Sequence, residues 1–409
     1  MTNEEASTSG PSMHKDALAG VKVLELGSLI AGPYAGSLLA QFGAEVIKVE
    51  SPKDGDPLRN WRHLHQGTSL WWYIQSRNKK SLTLDLKTQA GQEIVRRLAA
   101  EADVLIENFR PGTLEKWNLG WDTLSKENPG LIMARISGYG QTGPASQRPG
   151  FAAIAECMGG LRYVTGYPDR APVRVGVSLG DTLASLYATI GIMMALRHRE
   201  QAGGTGQVID VALYEAVFAV MESLVPECDL FGQIRERTGS ALPGIVPSNT
   251  YACGDGHYVV IAGNGDGIFK RLMHAIDRPD LAASADLQNN AGRVQHTKMI
   301  DQIIGEWASQ RKLEDVLRIL DQADVPSGRI YTAEDILNDE HYQHREMLLS
   351  GTLPDGTETL FPGIVPKLSA TPGKVKWLGP ELGEHNAEIL ESIGVTAEQV
   401  NQLRAAGII

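Results

Sequence analysis

The sequence predicts an α/β protein with a large Rossmann-like parallel-sheet domain and a smaller α/β domain. Three observations carry this: a strand, helix and strand within about thirty residues near the N-terminus, the recurrence of strands after helices through the first half, and a change of texture after about residue 225. Val21–Gly27 is an apolar strand ending in glycine, Ala31–Ala40 a helix with Pro33 in its first turn, and Ala44–Glu50 a second strand. Ser81–Leu86 alternates like a strand, and Ala102–Asn108 and Gly130–Ser137 repeat the pattern. Ligands in such sheets bind past the carboxyl ends of the strands, which directs attention to Ser28, Leu29, Glu50, Asn108, Phe109 and Ser137–Gly140. Gly27–Gly32 lacks the three-glycine turn of dinucleotide folds.

The second half opens with apolar helices at Gly191–His198 and Tyr214–Leu224, separated by Gly203, Gly204 and Gly206 and the strand Val208–Val211. Pro243–Pro247 reads as a loop. A compact unit follows: a hairpin of Thr250–Cys253 and His257–Ile261, the glycine-rich run Gly263, Gly265, Gly267, then helices Ile268–Ile276, His296–Ser309 and Lys312–Gln322. The expected organisation is a disordered tail over 1–16, a large domain over 17–225, a small domain over 226–330 and a return to the large domain over 331–409.

Composition bounds the function. A net charge of -11 argues against nucleic acid, which needs a basic footprint. No run of eighteen apolar residues marks a membrane span. The three cysteines, at 157, 228 and 253, are too far apart for a thiolate cluster, and the ten histidines are scattered, so no metal site is expected. The chain reads as reduced and cytoplasmic.

Val177–Thr182 is the chemically suggestive segment, because Asp181 follows a glycine and opens a small-residue helix. A carboxylate there is either the helix cap or, held ionised by unpaired amides, a nucleophile. Arg77, Lys79 and Lys80 form a local basic cluster that fits either an anionic ligand or a solvated turn.

Several motifs in order then resemble the class III CoA-transferases, the superfamily of formyl-CoA transferase, carnitine CoA-transferase and alpha-methylacyl-CoA racemase. They are Leu29–Pro33, Phe42–Glu50 with Gly55–Arg59, Arg77–Leu86, Glu107–Gly112, Ser137–Pro144 and Gly180–Asp181. The resemblance runs from about residue 17 to the C-terminus. It implies Asp181 as nucleophile, a CoA thioester as co-substrate with no permanently bound cofactor, and a homodimer of interlinked rings. It also implies CoA contacts at Arg77, Lys79, Lys80, Asn108, Phe109, Arg110, Tyr139 and Gly140. Phe109 is equally read as core packing. Gly263, Gly265 and Gly267 resemble the family's mobile active-site loop, and Glu156 falls where the family usually has Gln.

The racemase branch needs a His in a Gly-His-Asp run, where this chain has Gly150-Phe151-Ala152. The resemblance, with Leu242 and Ser248 where the family often has His and Tyr, implies CoA transfer from succinyl-CoA to a small dicarboxylate of the itaconate, mesaconate, malate or glutarate type, with a racemase or epimerase and a CoA thioester hydrolase as alternatives. Arg162, Arg170 and Arg174 are candidates to grip a second carboxylate, or are surface residues.

Overall fold

The computed structural model describes residues 16–201 and 203–409. The expected tail over 1–16 lies outside the described residues except for Asp16. Strands β1 (Lys22–Glu25), β2 (Glu45–Glu50), β3 (Lys79–Thr83), β4 (Val104–Glu107), β5 (Ile132–Ser137) and β6 (Val208–Ala212) form one sheet in the order β3-β2-β1-β4-β5-β6. Every neighbouring pair is parallel. Parallel strands need crossovers, and α1 (Ala31–Gln41) supplies the one from β1 to β2 while α2 (Gln89–Glu101) lies between β3 and β4. The strand order reverses between β1 and β4. That point of a doubly wound sheet opens a crevice at the carboxyl ends.

Alternating strand residues feed two cores. Val23, Val46, Val104 and Ile132 pack on one face with α1 and the long helix that follows residue 178, while Leu24, Leu105 and Met133 pack on the other with α2 and the C-terminal helices Asn386–Ser392 and Ala397–Ala405. The face under α1 is also charged: Glu25, Lys48, Glu50 and Lys79 are all buried. Register sets Glu25 beside Lys48 and Lys48 beside Ser81. The Lys48 ammonium stands 3.3 Å from Glu25 and 2.9 Å from Asp56, and Lys79 stands 2.8 Å from Glu25. Room for the Glu25 carboxylate comes from Gly36 of α1, where an added Cβ would stand 2.0 Å from Oε2.

Two further helices belong to this unit: α3 (Ala152–Met158) and α4 (Leu179–Gln201). Among the described residues α4 is the one helix long and apolar enough to cross a membrane by length and composition. Gly180, Ala184, Ala188, Ile192 and Ala195 nevertheless bury one side of it, where it packs against α1. Its other side exposes Leu186, Tyr187, Ile190, Met193 and Met194.

The chain divides into two compact units. The first takes residues to Leu161, Val175–Glu222 and Arg345–Ile409, and the second takes Arg162–Arg174 and Ser223–His344. The boundary expected at 225 falls at 222, and the division differs more widely in two other places. Residues 162–174 join the second unit because Arg237 Nη1 donates to the Tyr163 carbonyl at 2.8 Å and Gly239 N–H to the Gly166 carbonyl at 2.9 Å. Residues 331–344 stay with it, where Arg329 lies 3.6 Å from Asp335. Its sheet is β7 (Ser248–Ala252), β8 (Tyr258–Ala262) and β9 (Ser327–Arg329), antiparallel with β8 central. The helices α5 (Asp266–Ala275), α6 (Thr297–Ser309) and α7 (Leu313–Gln322) complete its core.

Gly36→Ala forces a methyl onto the Glu25 carboxylate, an overpacking defect of about 1–3 kcal/mol. A urea unfolding midpoint clearly below that of the parent is expected, and an unchanged midpoint would show that α1 can shift to accommodate it.

Candidate active site

The turn after β1 is gripped from three sides. Asn108, just past β4, accepts the Ser28 N–H through Oδ1 and donates Nδ2 to the Ser28 carbonyl, both at 2.8 Å. Gly27 must lack a side chain here, since a Cβ would lie 3.0 Å from Asn108 Oδ1 and 3.3 Å from the Gly32 Cα. The Lys48 ammonium donates to the Gly27 carbonyl at 2.5 Å. Leu29 takes a left-handed φ of 65°, a conformation a branched residue adopts only when its surroundings impose it. Asp56 imposes it, accepting the Leu29 N–H with both carboxylate oxygens at 3.1 Å.

Electrostatics explain why these buried charges persist. Burial disfavours the Lys48 ammonium, but Asp56, Glu25 and Glu50 outweigh it and raise its pKa. Burial likewise penalises the Asp56 carboxylate, and Lys48 with the Leu58 and Leu29 amides overrides it and lowers its pKa. For Lys79 burial wins over Glu25, and its pKa is lowered.

Asp181 is half-buried in the first turn of α4. It is not the cap residue, because the helix begins two residues earlier at Leu179, so its carboxyl lies where the helix dipole favours negative charge. Ser185, one turn on, shares its hydroxyl proton between the Asp181 carbonyl at 2.7 Å and the Ala31 carbonyl at 2.6 Å. The Asp181 turn is thereby tied to the start of α1, at the switch point of the sheet. Gly180 brings the same turn against α3, where a Cβ would stand 3.2 Å from that of Ala152. Glu156 lies one turn further along α3 and is buried, 1% exposed.

Past the carboxyl ends of β1 to β4 lies a cavity of about 620 Å³ whose wall includes Ser28, Lys48, Lys53, Lys87, Phe109 and Trp117. Phe109 is fixed by an edge contact with Trp117, ring centroids 5.3 Å apart; it packs against the core and also lines this cavity. Arg110 is exposed beside it. Tyr139 and Gly140 follow β5, where Gly140 has a φ of 83° and the next amide, of Gln141, donates to the Asp210 carboxylate at 2.9 Å.

The basic cluster sits elsewhere. Arg77, Lys79 and Lys80 are at the amino end of β3, away from the carboxyl ends that form the cavity. Lys79 has no exposed surface and is spent on Glu25 and the Pro33 carbonyl. Lys80 pairs with Glu45 at 2.8 Å and Glu388 at 2.6 Å. Arg77 is buried and donates to the Pro362 carbonyl at 2.6 Å. The expectation that these three meet CoA phosphates is corrected on these grounds. The exposed cations that do line the crevice, Lys53 and Lys87, were missed, although each closely follows the carboxyl end of a strand; Glu50, Asp54, Asp56 and Asp85 share the lining.

In the second unit the glycine run is more ordered than its composition implies. α5 starts at Asp266, so Gly267 is helical and Gly265 precedes the helix with an ordinary φ of -69°. Gly263 is demanded by contact: a Cβ would lie 2.5 Å from Leu272. The fully buried Arg293 donates to the Asn264 carbonyl at 2.7 Å, to Asp266 at 2.8 Å and to the Val246 carbonyl at 2.9 Å. Arg162 and Arg174 belong to this unit, and Arg170 lies over the Tyr167 ring at 5.6 Å. Among the described residues no group of three His, Cys, Asp or Glu side chains is arranged to hold a metal.

A half-buried carboxylate in the first turn of a helix and a cavity past the strand ends thus stand at the switch point of a doubly wound sheet, and the profile of CoA-transferase family III matches residues 18–386 of this chain. The chain belongs to that family. It is 49% identical over 391 residues to the succinyl-CoA–D-citramalate CoA-transferase of Chloroflexus aurantiacus, covering 95% of this chain and 97% of that protein. It is 44% identical over 403 residues to the beta subunit of the succinyl-CoA–L-malate CoA-transferase of the same organism, covering 96% and 98%. A crystal structure of a CaiB/BaiF family protein from Brucella suis aligns with a TM-score of 0.81 at 35% identity, covering 93% of this chain and 100% of that one.

The lowered Asp56 pKa has a signed consequence. Its ionised form contributes stability that is complete above the unfolded carboxyl value of about 3.9 and is lost as pH falls through the lower folded value. Asp56→Asn should be less stable at pH 7 and should lose less than the parent between about pH 4 and pH 2. Parallel urea titrations of the two proteins check this; equal acid losses would remove Asp56 from the account.

Proposed function

We propose that this protein transfers CoA from succinyl-CoA to a short dicarboxylic acid, with Asp181 as the acyl-accepting nucleophile. The observation that carries the reading is the placement of Asp181 in the first turn of α4, tied through Ser185 to the start of α1 at the sheet's switch point. The Asp181 carboxylate attacks the thioester carbonyl and expels CoA thiolate, leaving an aspartyl succinyl anhydride. The thiolate then attacks the aspartyl carbonyl, succinate leaves, and an aspartyl-CoA thioester remains. The acceptor carboxylate attacks this thioester, CoA thiolate departs, and the same thiolate takes the acceptor's acyl group from the new anhydride, which restores the carboxylate. Each tetrahedral intermediate needs donors aimed at its oxyanion.

The 620 Å³ crevice fits the nucleotide end of CoA, with Lys53 and Lys87 for its phosphates and Phe109 and Trp117 as an aromatic wall. Asn108 orders the turn beside it; Arg110 forms the outer rim, and Tyr139 and Gly140 shape the loop after β5. Glu156, buried on the helix that touches Gly180, is assigned to acceptor selection. The lid role of Gly263, Gly265 and Gly267 rests on the family resemblance. Citramalate and malate, named in the two relatives, are short hydroxy-dicarboxylates, and that class is the proposed acceptor. The exposed apolar side of α4 supports a homodimer, since a contiguous patch of this kind marks a protein contact. Three free cysteines fit a reducing, cytoplasmic setting.

The test is an exchange assay in which succinyl-CoA is offered with a panel of dicarboxylates and monocarboxylates and every acyl-CoA is followed by mass. New acyl-CoA should form in step with free succinate for malate or citramalate, and Asp181→Ala should lower the rate by at least about a thousandfold. Accumulation of free CoA, or turnover independent of Asp181, would reject the reading. Replacing Lys53 and Lys87 together by Ala should raise KM for succinyl-CoA by about three- to tenfold with kcat nearly unchanged, as expected for two exposed phosphate contacts. An unchanged KM would move the nucleotide out of this crevice.

A further inference from the structure

The large unit holds a second cavity, of about 640 Å³, that the transfer reaction does not use. Arg77, Lys367, Lys374, Lys376, Phe361 and Trp377 all line it. It adjoins the amino end of β3, whereas the CoA crevice lies past the carboxyl ends.

Arg77 is the unusual member. It is 4% exposed, one Nη donates to the Pro362 carbonyl at 2.6 Å, and its Nε has no hydrogen-bond partner. No carboxylate lies within ion-pair distance of it among the described residues. Burial pulls its guanidinium below the ordinary value, and only the Tyr34 phenol opposes it. A buried cation without a counter-charge is costly, and three more cations line the same cavity. The carboxylates close by do not balance them. Glu346 stands 3.7 Å from Lys367, Asp16 lies 3.3 Å from Lys374 and 3.0 Å from Lys376, and Glu358 accepts from the Ser350 and Thr352 hydroxyls. Positive excess here runs against a chain whose net charge is -11.

The walls are held in place before any ligand arrives. Asn78, in a left-handed conformation, accepts the Lys376 N–H at 2.6 Å and donates to the Lys374 carbonyl at 2.6 Å. The Trp377 indole donates to the Lys79 carbonyl at 2.9 Å, which fixes the ring. Four cations with an aromatic wall match a phosphate group attached to an apolar or aromatic body.

We propose that this cavity is a second anion site, separate from the CoA crevice, that takes a phosphate-bearing small molecule with an apolar portion. Its occupant neutralises Arg77 and bridges β3 to the segment from Glu346 to Leu378.

The full-length protein is titrated calorimetrically with inorganic pyrophosphate and with ADP, each with and without saturating CoA. Pyrophosphate should bind with CoA present, ADP should bind more tightly than pyrophosphate, and Trp377→Ala should remove that advantage. Lys374→Ala with Lys376→Ala, and separately Lys367→Ala, should weaken pyrophosphate at least tenfold while KM for succinyl-CoA stays within twofold. Thermal melts of the variants show that they fold, and the single Lys367 variant keeps the test open if the double one does not. The proposal is overturned if neither probe binds at millimolar concentration, if CoA displaces both, or if the lysine variants bind pyrophosphate like the parent.

Discussion

The Lys48 ammonium is the interaction on which the functional end of the sheet depends. It is buried between the Glu25 and Asp56 carboxylates and donates to the Gly27 carbonyl, so one side chain fixes β1, β2 and the turn that opens α1. Through Asp56 it also holds Leu29 in a backbone conformation that Leu would not choose. Removing one partner of such a set leaves an uncompensated charge in the interior, at a cost of about 3–5 kcal/mol. Dinucleotide folds shape this turn with glycines. Here a charge cluster does so, which accounts for a Rossmann strand order without the three-glycine fingerprint.

Two consequences follow for catalysis. The start of α1 becomes a rigid reference, and Ser185 passes that rigidity to the backbone of Asp181. In the proposed mechanism Asp181 must meet a thioester carbonyl and then present its own carbonyl to a thiolate, and it gains from being held at the backbone while its carboxyl stays half-buried. The crevice with the aromatic wall lies beside the same turn, with Ser28 common to its wall and to the Asn108 clamp.

Much of this was legible in the sequence because it is local. Periodicity marked β1, α1, β2, β4 and β5, and the glycine before Asp181 with the small-residue run after it placed the carboxylate at a helix start. The basic residues show where local reading stops. Arg77, Lys79 and Lys80 look like a phosphate-binding cluster when read along the chain, yet strand alternation sends Lys79 into the α1 face to meet Glu25, and Lys80 to the opposite face with Glu388. Their partners lie 54 and 308 residues away, so no window on the sequence contains both ends. Lys53 and Lys87 carried a usable signal, since each closely follows the carboxyl end of a strand. The glycine run is likewise shaped by distant residues. Gly263 is there for a contact with Leu272, and Arg293, nearly thirty residues on, supplies the order that composition hides.

The measurement that bears most directly on the central claim is the mass of the Asp181 peptide after mixing the protein with succinyl-CoA and no acceptor, followed by rapid acid quench and digestion. An aspartyl-CoA thioester predicts a gain of one CoA less one water, confined to the peptide containing Asp181, with one free succinate released per site and loss of the adduct when malate is added. A CoA adduct on another residue, or free succinate released with no adduct and an unmodified Asp181, would contradict it.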